Sequence, residues 1–175
     1  LYCAISRCNR ALVSIADYGE EKLGAETARQ RDAEVRFLRA HFYFKLVTMF
    51  RQVPWIDEEV YKNNAQEQTR NDEFTYEQLF QKIIDDFKVA YDVLPADQKD
   101  GGRVNKIAAA SYLAKCYLNL AWGDGYEATT GVSHINQDYM NKVVEYTDVV
   151  KNSNYGYLED FGDIFLPENK SSKES

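Results

Sequence analysis

His41 and His134 are the only two imidazoles in this chain of 175 residues, and neither has a candidate nucleophile beside it in the sequence. Acid–base or nucleophilic catalysis needs such a base within hydrogen-bond reach of the group it activates. His41 falls inside an apolar run, where a hydrogen-bonded core histidine is the expected role. No G-x-S-x-G, H-E-x-x-H or phosphate-binding glycine loop occurs. Twenty-eight acidic residues make chance carboxylate pairs common, so Glu77, Asp85 and Asp86 read as solvated surface or as partners for Arg36 and Arg39 before they read as a glycosidase pair. Glu159, Asp160 and Asp163 could offer oxygens to calcium but lack the ordered spacing of a binding loop, which points to a solvated turn. The cysteines, Cys3, Cys8 and Cys116, are odd in number and not spaced as a metal set. Cys3 and Cys8 point in different directions on a helix, so all three are expected as small buried hydrophobes. No catalytic residue, metal or cofactor is expected.

Binding chemistry is better represented. A neutral sugar needs a stackable aromatic face with hydroxyl-bonding side chains nearby. Two loops have that composition: Trp122-Gly-Asp124-Gly-Tyr126 onward to Asn136, and Trp55–Asn64 with Tyr61. The candidate ligand residues are therefore Trp122, Tyr126, Trp55 and Tyr61. Each also reads as an ordinary loop aromatic, and Trp55, in a Val-Pro-Trp-Ile cluster, reads more readily as an anchor to the core than as a sugar platform. The net charge of −7 argues against nucleic acid, since no basic surface is available to replace counterions on phosphates.

The elements that must position these residues are helices. Ala4, Ile5, Cys8, Ala11, Leu12 and Ile15 recur at three- and four-residue steps and predict a helix over 1–17, with Gly19 as terminator and a polar connection over 18–25. A second helix spans 25–51 and stops before Pro54. From Phe37 to Phe50 it is apolar on nearly all sides, so it must be covered on more than one side. Residues 53–72 read as an irregular crossing. Thr75 and Gln78 have capping-box spacing, with Phe74 and Leu79 as a staple, and open a one-sided amphipathic helix over 75–94. Asn105 caps a helix over 106–122 rich in alanine, which allows close helix approach, and Asn136 caps a last one over 137–152. No apolar run approaches the roughly 20 residues needed to span a bilayer.

A weak internal repeat ties the layout together. Ala40-x-x-Tyr43-Phe44-x-Leu46 in one inner helix matches Ala114-x-x-Tyr117-Leu118-x-Leu120 in the other, and each is followed by a loop and an amphipathic outer helix. Such pairs bury a continuous core by stacking, as in tetratricopeptide-type repeats. The expected fold is a single all-α, repeat-like superhelix over residues 1–175.

The run Glu34-Val-Arg-Phe-Leu-Arg-Ala-His-Phe-Tyr-Phe-Lys-Leu-Val47, followed by Phe50, Val53-Pro54 and Ile56, resembles the SusD/RagB family of nutrient-binding outer-membrane lipoproteins. Ile5–Asn9 with Ala11-Leu12, Gly102–Lys106 with Ala108–Leu118, and Tyr155–Leu158 with Phe161 and Ile164-Phe165 resemble further segments of that family in the same order. The resemblance implies a fragment of a longer chain, carrying the helical N-terminal portion of a surface-exposed protein. Its anchor would be a lipidated cysteine upstream of residue 1. It also implies capture of an oligosaccharide or other nutrient without cleavage, and delivery to a TonB-dependent outer-membrane transporter. The rival reading is a tetratricopeptide-type adaptor that binds a peptide, for which Arg36, Arg39 and Lys45 would have to line a groove.

Overall fold

The computed structural model describes residues 1–123, 126–127, 131–132, 134–156 and 159–166. Among the described residues six α-helices follow one another: α1 (Tyr2–Leu23), α2 (Ala25–Phe50), α3 (Glu58–Lys62), α4 (Tyr76–Val93), α5 (Lys106–Gly123) and α6 (Gln137–Lys151). Short 3₁₀ turns lie at Gln66–Gln68 and Phe161–Phe165, and a two-residue antiparallel pair joins Tyr126–Glu127 to Gly131–Val132. The long helices stack in chain order, α1 on α2, α2 on α4, α4 on α5 and α5 on α6, with α3 set against α1. This is the superhelical arrangement expected of helical repeats.

The first helix corrects the reading from sequence. It does not end at residue 17 but runs on to Leu23, and the expected polar connection shrinks to Gly24, whose φ of 81° suits a residue without a Cβ. Gly19 is not a terminator; it lets α1 and α2 approach. A Cβ there would lie 3.2 Å from Ala28 Cβ and 3.1 Å from Ile15 Cγ2. The crossing after Pro54 is also less irregular than expected, because Asp57 caps α3 by accepting from Val60 N at 3.0 Å.

The other caps form as their residues dictate. Thr75 and Gln78 close a reciprocal capping box, Asn105 accepts from Ala108 N at 2.9 Å, and Asn136 accepts from the amides of Asp138 and Tyr139. Tyr43, Val47, Leu79, Phe80, Ile83, Ile84, Phe87 and Leu113 are fully buried between α2, α4 and α5. Each such side chain contributes about 1.5–3 kcal/mol relative to exposure. Phe37, His41, Phe44 and Phe87 all contact the ring of Tyr112, so α5 is keyed into the seam between α2 and α4.

Candidate functional site

The strongest concentration of ionisable groups is a closed polar cluster. Arg39, 3% exposed, donates from Nε and Nη2 to the two oxygens of Asp86 at 2.7 and 2.8 Å, and from Nη1 to Asn9 at 3.0 Å and to Glu58. Arg36 reaches Asp32 at 2.8 Å, Asp86 at 3.2 Å and Glu58 at 3.3 Å. A second cluster places Glu34 between Arg31 and Arg103, which ties α2 to the turn before α5. Burial raises the Glu58 carboxyl, but the charge and hydrogen bond of Arg39, helped by Arg36, hold it below its ordinary value. The acids in these clusters are paired with guanidinium groups, so the arrangement locks α1, α2, α3 and α4 together, although burial outweighs Arg31 at Glu34 and raises its carboxyl above the ordinary value. Among the described residues, no group of three or more His, Cys, Asp or Glu could hold a metal ion.

The sequence-predicted residues separate into inner and outer ones. Trp55 is 5% exposed and stacks on Tyr43 at 4.1 Å, with Lys82 and Arg39 near the ring. Its loop is pinned from both sides. Asn9 donates to Ile56 O at 2.7 Å, Tyr2 donates to Pro54 O, and Tyr43 OH accepts from Ile56 N at 2.6 Å. Such a ring anchors the loop and has no face free for a sugar. Tyr61 is half-buried on α3. Trp122 occupies the last turn of α5 and is 38% exposed. Tyr126 opens the short strand pair, while its side chain and the neighbouring Asp124-Gly125 lie outside the described residues, as do Tyr157-Leu158. α3 sits against α1 and α5 against α4 and α6, so the two aromatic loops belong to different parts of the stack.

Three other expectations are corrected or refined. His41 is half-buried rather than in the core, edge-on to Phe42 and Tyr112; burial and the charges of Lys45 and Lys115 lower its pKa. Cys8 and Cys116 are buried as expected, but Cys3 is exposed because it lies on the outer face of α1. Asp160 caps the 3₁₀ turn by accepting from Gly162 N at 2.7 Å, which gives that acidic group a structural job.

The structure also holds a concavity that sequence reasoning did not name. A groove of about 1010 Å³ runs between α5 and α6, floored by Val104, Ile107, Ala108, Leu118, Val143 and Val150 and edged by Lys115 and Lys151. Its signal in the sequence is the alanine-rich character of α5, Ala108 and Ala114 among them, which predicts close helix approach.

The scaffold is thus a stack of helices pinned by ion pairs between Arg36, Arg39 and Asp86, with Trp122 exposed in the last turn of α5. Residues 1–118 match the SusD-like family described as "Starch-binding associating with outer membrane". The chain belongs to this SusD-like family. It is 26% identical to a SusD-like protein of Bacteroides ovatus, over 99% of this chain and 30% of the relative. It is 29% identical to the starch-binding protein SusD of Bacteroides thetaiotaomicron, over 91% of this chain and 26% of the relative. A solved SusD-superfamily structure from Parabacteroides distasonis superposes with a TM-score of 0.79 at 29% identity, covering 97% of this chain and 34% of the other. The chain thus spans about a third of the length of the relatives it matches.

Proposed function

We propose that this chain is the helical N-terminal portion of a longer protein that captures an oligosaccharide at the outer-membrane surface. In this reading the protein is held there by a lipid on a cysteine upstream of residue 1. It hands its ligand, uncleaved, to a TonB-dependent transporter. The observation that carries the reading is the match over residues 1–118, all of α2 and most of α5 included, to a family described as starch-binding and outer-membrane-associated. The geometry supports it: the scaffold consumes its own aromatics and ion pairs internally, which leaves sugar contact to loops. Trp122 with Tyr126 is the platform in this reading, and Tyr61 a secondary contact. The adaptor reading keeps only Lys45 of its recognition set, because Arg36 and Arg39 are spent on Asp32, Glu58 and Asp86.

The test is a titration of the full-length protein with a malto-oligosaccharide. Trp122→Ala is expected to weaken binding about tenfold or more, the cost of losing an aromatic anchor, with the melting temperature unchanged. Trp55→Ala is expected to lower the melting temperature instead. Undiminished affinity in Trp122→Ala would contradict this placement of the platform.

A further inference from the structure

The two inner helices carry charge of one sign. From Val35 to Ile56 and from Gly101 to Gly123 there is no Asp or Glu, although the chain holds 28 of them. Of the cations in these stretches, Arg36, Arg39 and Arg103 are consumed by ion pairs with Asp32, Glu58, Asp86 and Glu34. Arg51 and Lys106 lie over the rings of Tyr76 and Tyr91. His41, Lys45 and Lys115 remain, and they gather at one place.

That place is the ring of Tyr112. His41 meets it edge-on at 5.2 Å from α2, and the Lys115 ammonium stands 5.1 Å from its centre on α5. Lys45 follows His41 by one turn of α2. Both lysines are exposed, and among the described residues no carboxylate lies within ion-pair distance of either. Their charges reach the imidazole and, with burial, disfavour its protonated form. Two like charges beside an imidazole that they keep neutral cost free energy, and a bound anion would remove that cost.

The surroundings suit a sugar. Leu38 and Met49 are exposed and Phe42 is half-buried, on the same face of α2 as Lys45. On α5, Trp122 stands two turns beyond Lys115 on the same face, about 10 Å along the axis. A ligand with one sugar on Trp122 therefore brings its neighbouring sugars toward the cations.

We infer that His41, Lys45 and Lys115 form a carboxylate subsite, and that the glycan captured by the protein carries a uronic acid. This deepens the reading made above and rests on it: Trp122 stacks a neutral sugar, and the subsite adds affinity for an acidic one further along the same chain.

The test compares the malto-oligosaccharide used above with the same chain oxidised to a uronic acid at one terminal sugar, each titrated into the full-length protein. The inference predicts about fivefold or more tighter binding of the oxidised chain at low salt, the yield of one or two exposed ion pairs. That advantage is expected to shrink as salt is raised, and to vanish in Lys45→Gln/Lys115→Gln, which alters two exposed side chains and leaves the core intact. Free glucuronate gives an independent reading. It is expected to raise the His41 midpoint in an NMR titration, because a bound carboxylate offsets the two lysines. Equal affinity for the two chains would overturn the inference, and so would an advantage that survives in the double variant. Movement of the His41 midpoint by an acidic peptide but not by glucuronate would assign the three residues to a partner protein and equally overturn it. If neither chain binds, the functional reading fails while the glucuronate titration still decides this one, so the two failures are distinguishable.

Discussion

Arg39 of α2 and Asp86 of α4 form a two-pronged ion pair, 2.7 and 2.8 Å long, with both side chains almost wholly removed from solvent. It is the polar centre of an otherwise apolar seam. Pairs of this kind repay the desolvation of two charges only while both partners are present. Asp86→Ala leaves Arg39 buried with part of its compensation gone, and is predicted to cost about 3–5 kcal/mol in denaturant unfolding. Replacing both partners together, Arg39→Met with Asp86→Leu, is predicted to be less damaging than Asp86→Ala alone. Equal damage from the double and single changes would show that the pair itself stabilises the seam.

Glu58 governs part of the response to acid. Burial opposes its ionisation, but Arg39 and Arg36 outweigh burial and keep its folded pKa below the unfolded value near 4.5. Its contribution is therefore complete above that value and is lost as pH falls through the lower folded value. Glu58→Gln is predicted to flatten the acid limb of the stability–pH curve. An unchanged limb would assign acid sensitivity to other carboxylates.

His41 moves in the same direction for a different reason. Burial, then the positive charges of Lys45 and Lys115, disfavour its imidazolium, so its folded pKa lies below 6.5. The unfolded chain then binds the proton more readily, and stability present above the unfolded value is reduced as pH falls through 6.5 toward the folded one. An NMR titration should place the His41 midpoint below 6.5, and Lys115→Gln should move it upward. A midpoint above 6.5 would contradict the account of its surroundings.

Gly19 sets the spacing of α1 and α2. Alanine there gains about 1 kcal/mol of helix propensity, which the contacts at 3.1 and 3.2 Å offset, so Gly19→Ala should be close to neutral. Gly19→Val overfills the contact with Ala28 and is predicted to cost about 1–3 kcal/mol. A stable valine variant would mean that the two helices can separate there without penalty.

Much of this was legible because the signals were local. Thr75 with Gln78, Asn105 and Asn136 announce helix starts through hydrogen bonds within three residues of the cap. The all-round apolar character of α2 likewise announces burial on several sides. Gly19 was misread because a glycine that ends a helix and one that lets two helices touch look alike in sequence, and the neighbour that decides, Ala28, belongs to the next helix. At Trp55 the Val-Pro-Trp-Ile cluster favours an anchor, while the ring it anchors to, Tyr43, belongs to another element and has no local signal. The pairing of Arg36 and Arg39 with Asp86 was foreseeable as charge balance between helices. The groove was not, because it arises from how α5 and α6 pack and has no local signal.

The central claim, capture of a glycan without chemistry, is tested most directly by calorimetric titration of the full-length protein with a panel of neutral oligosaccharides. Each ligand is recovered afterwards and examined for new reducing ends. The account predicts saturable binding of at least one oligosaccharide, which returns intact. New reducing ends, or no binding to any member of the panel, would contradict it.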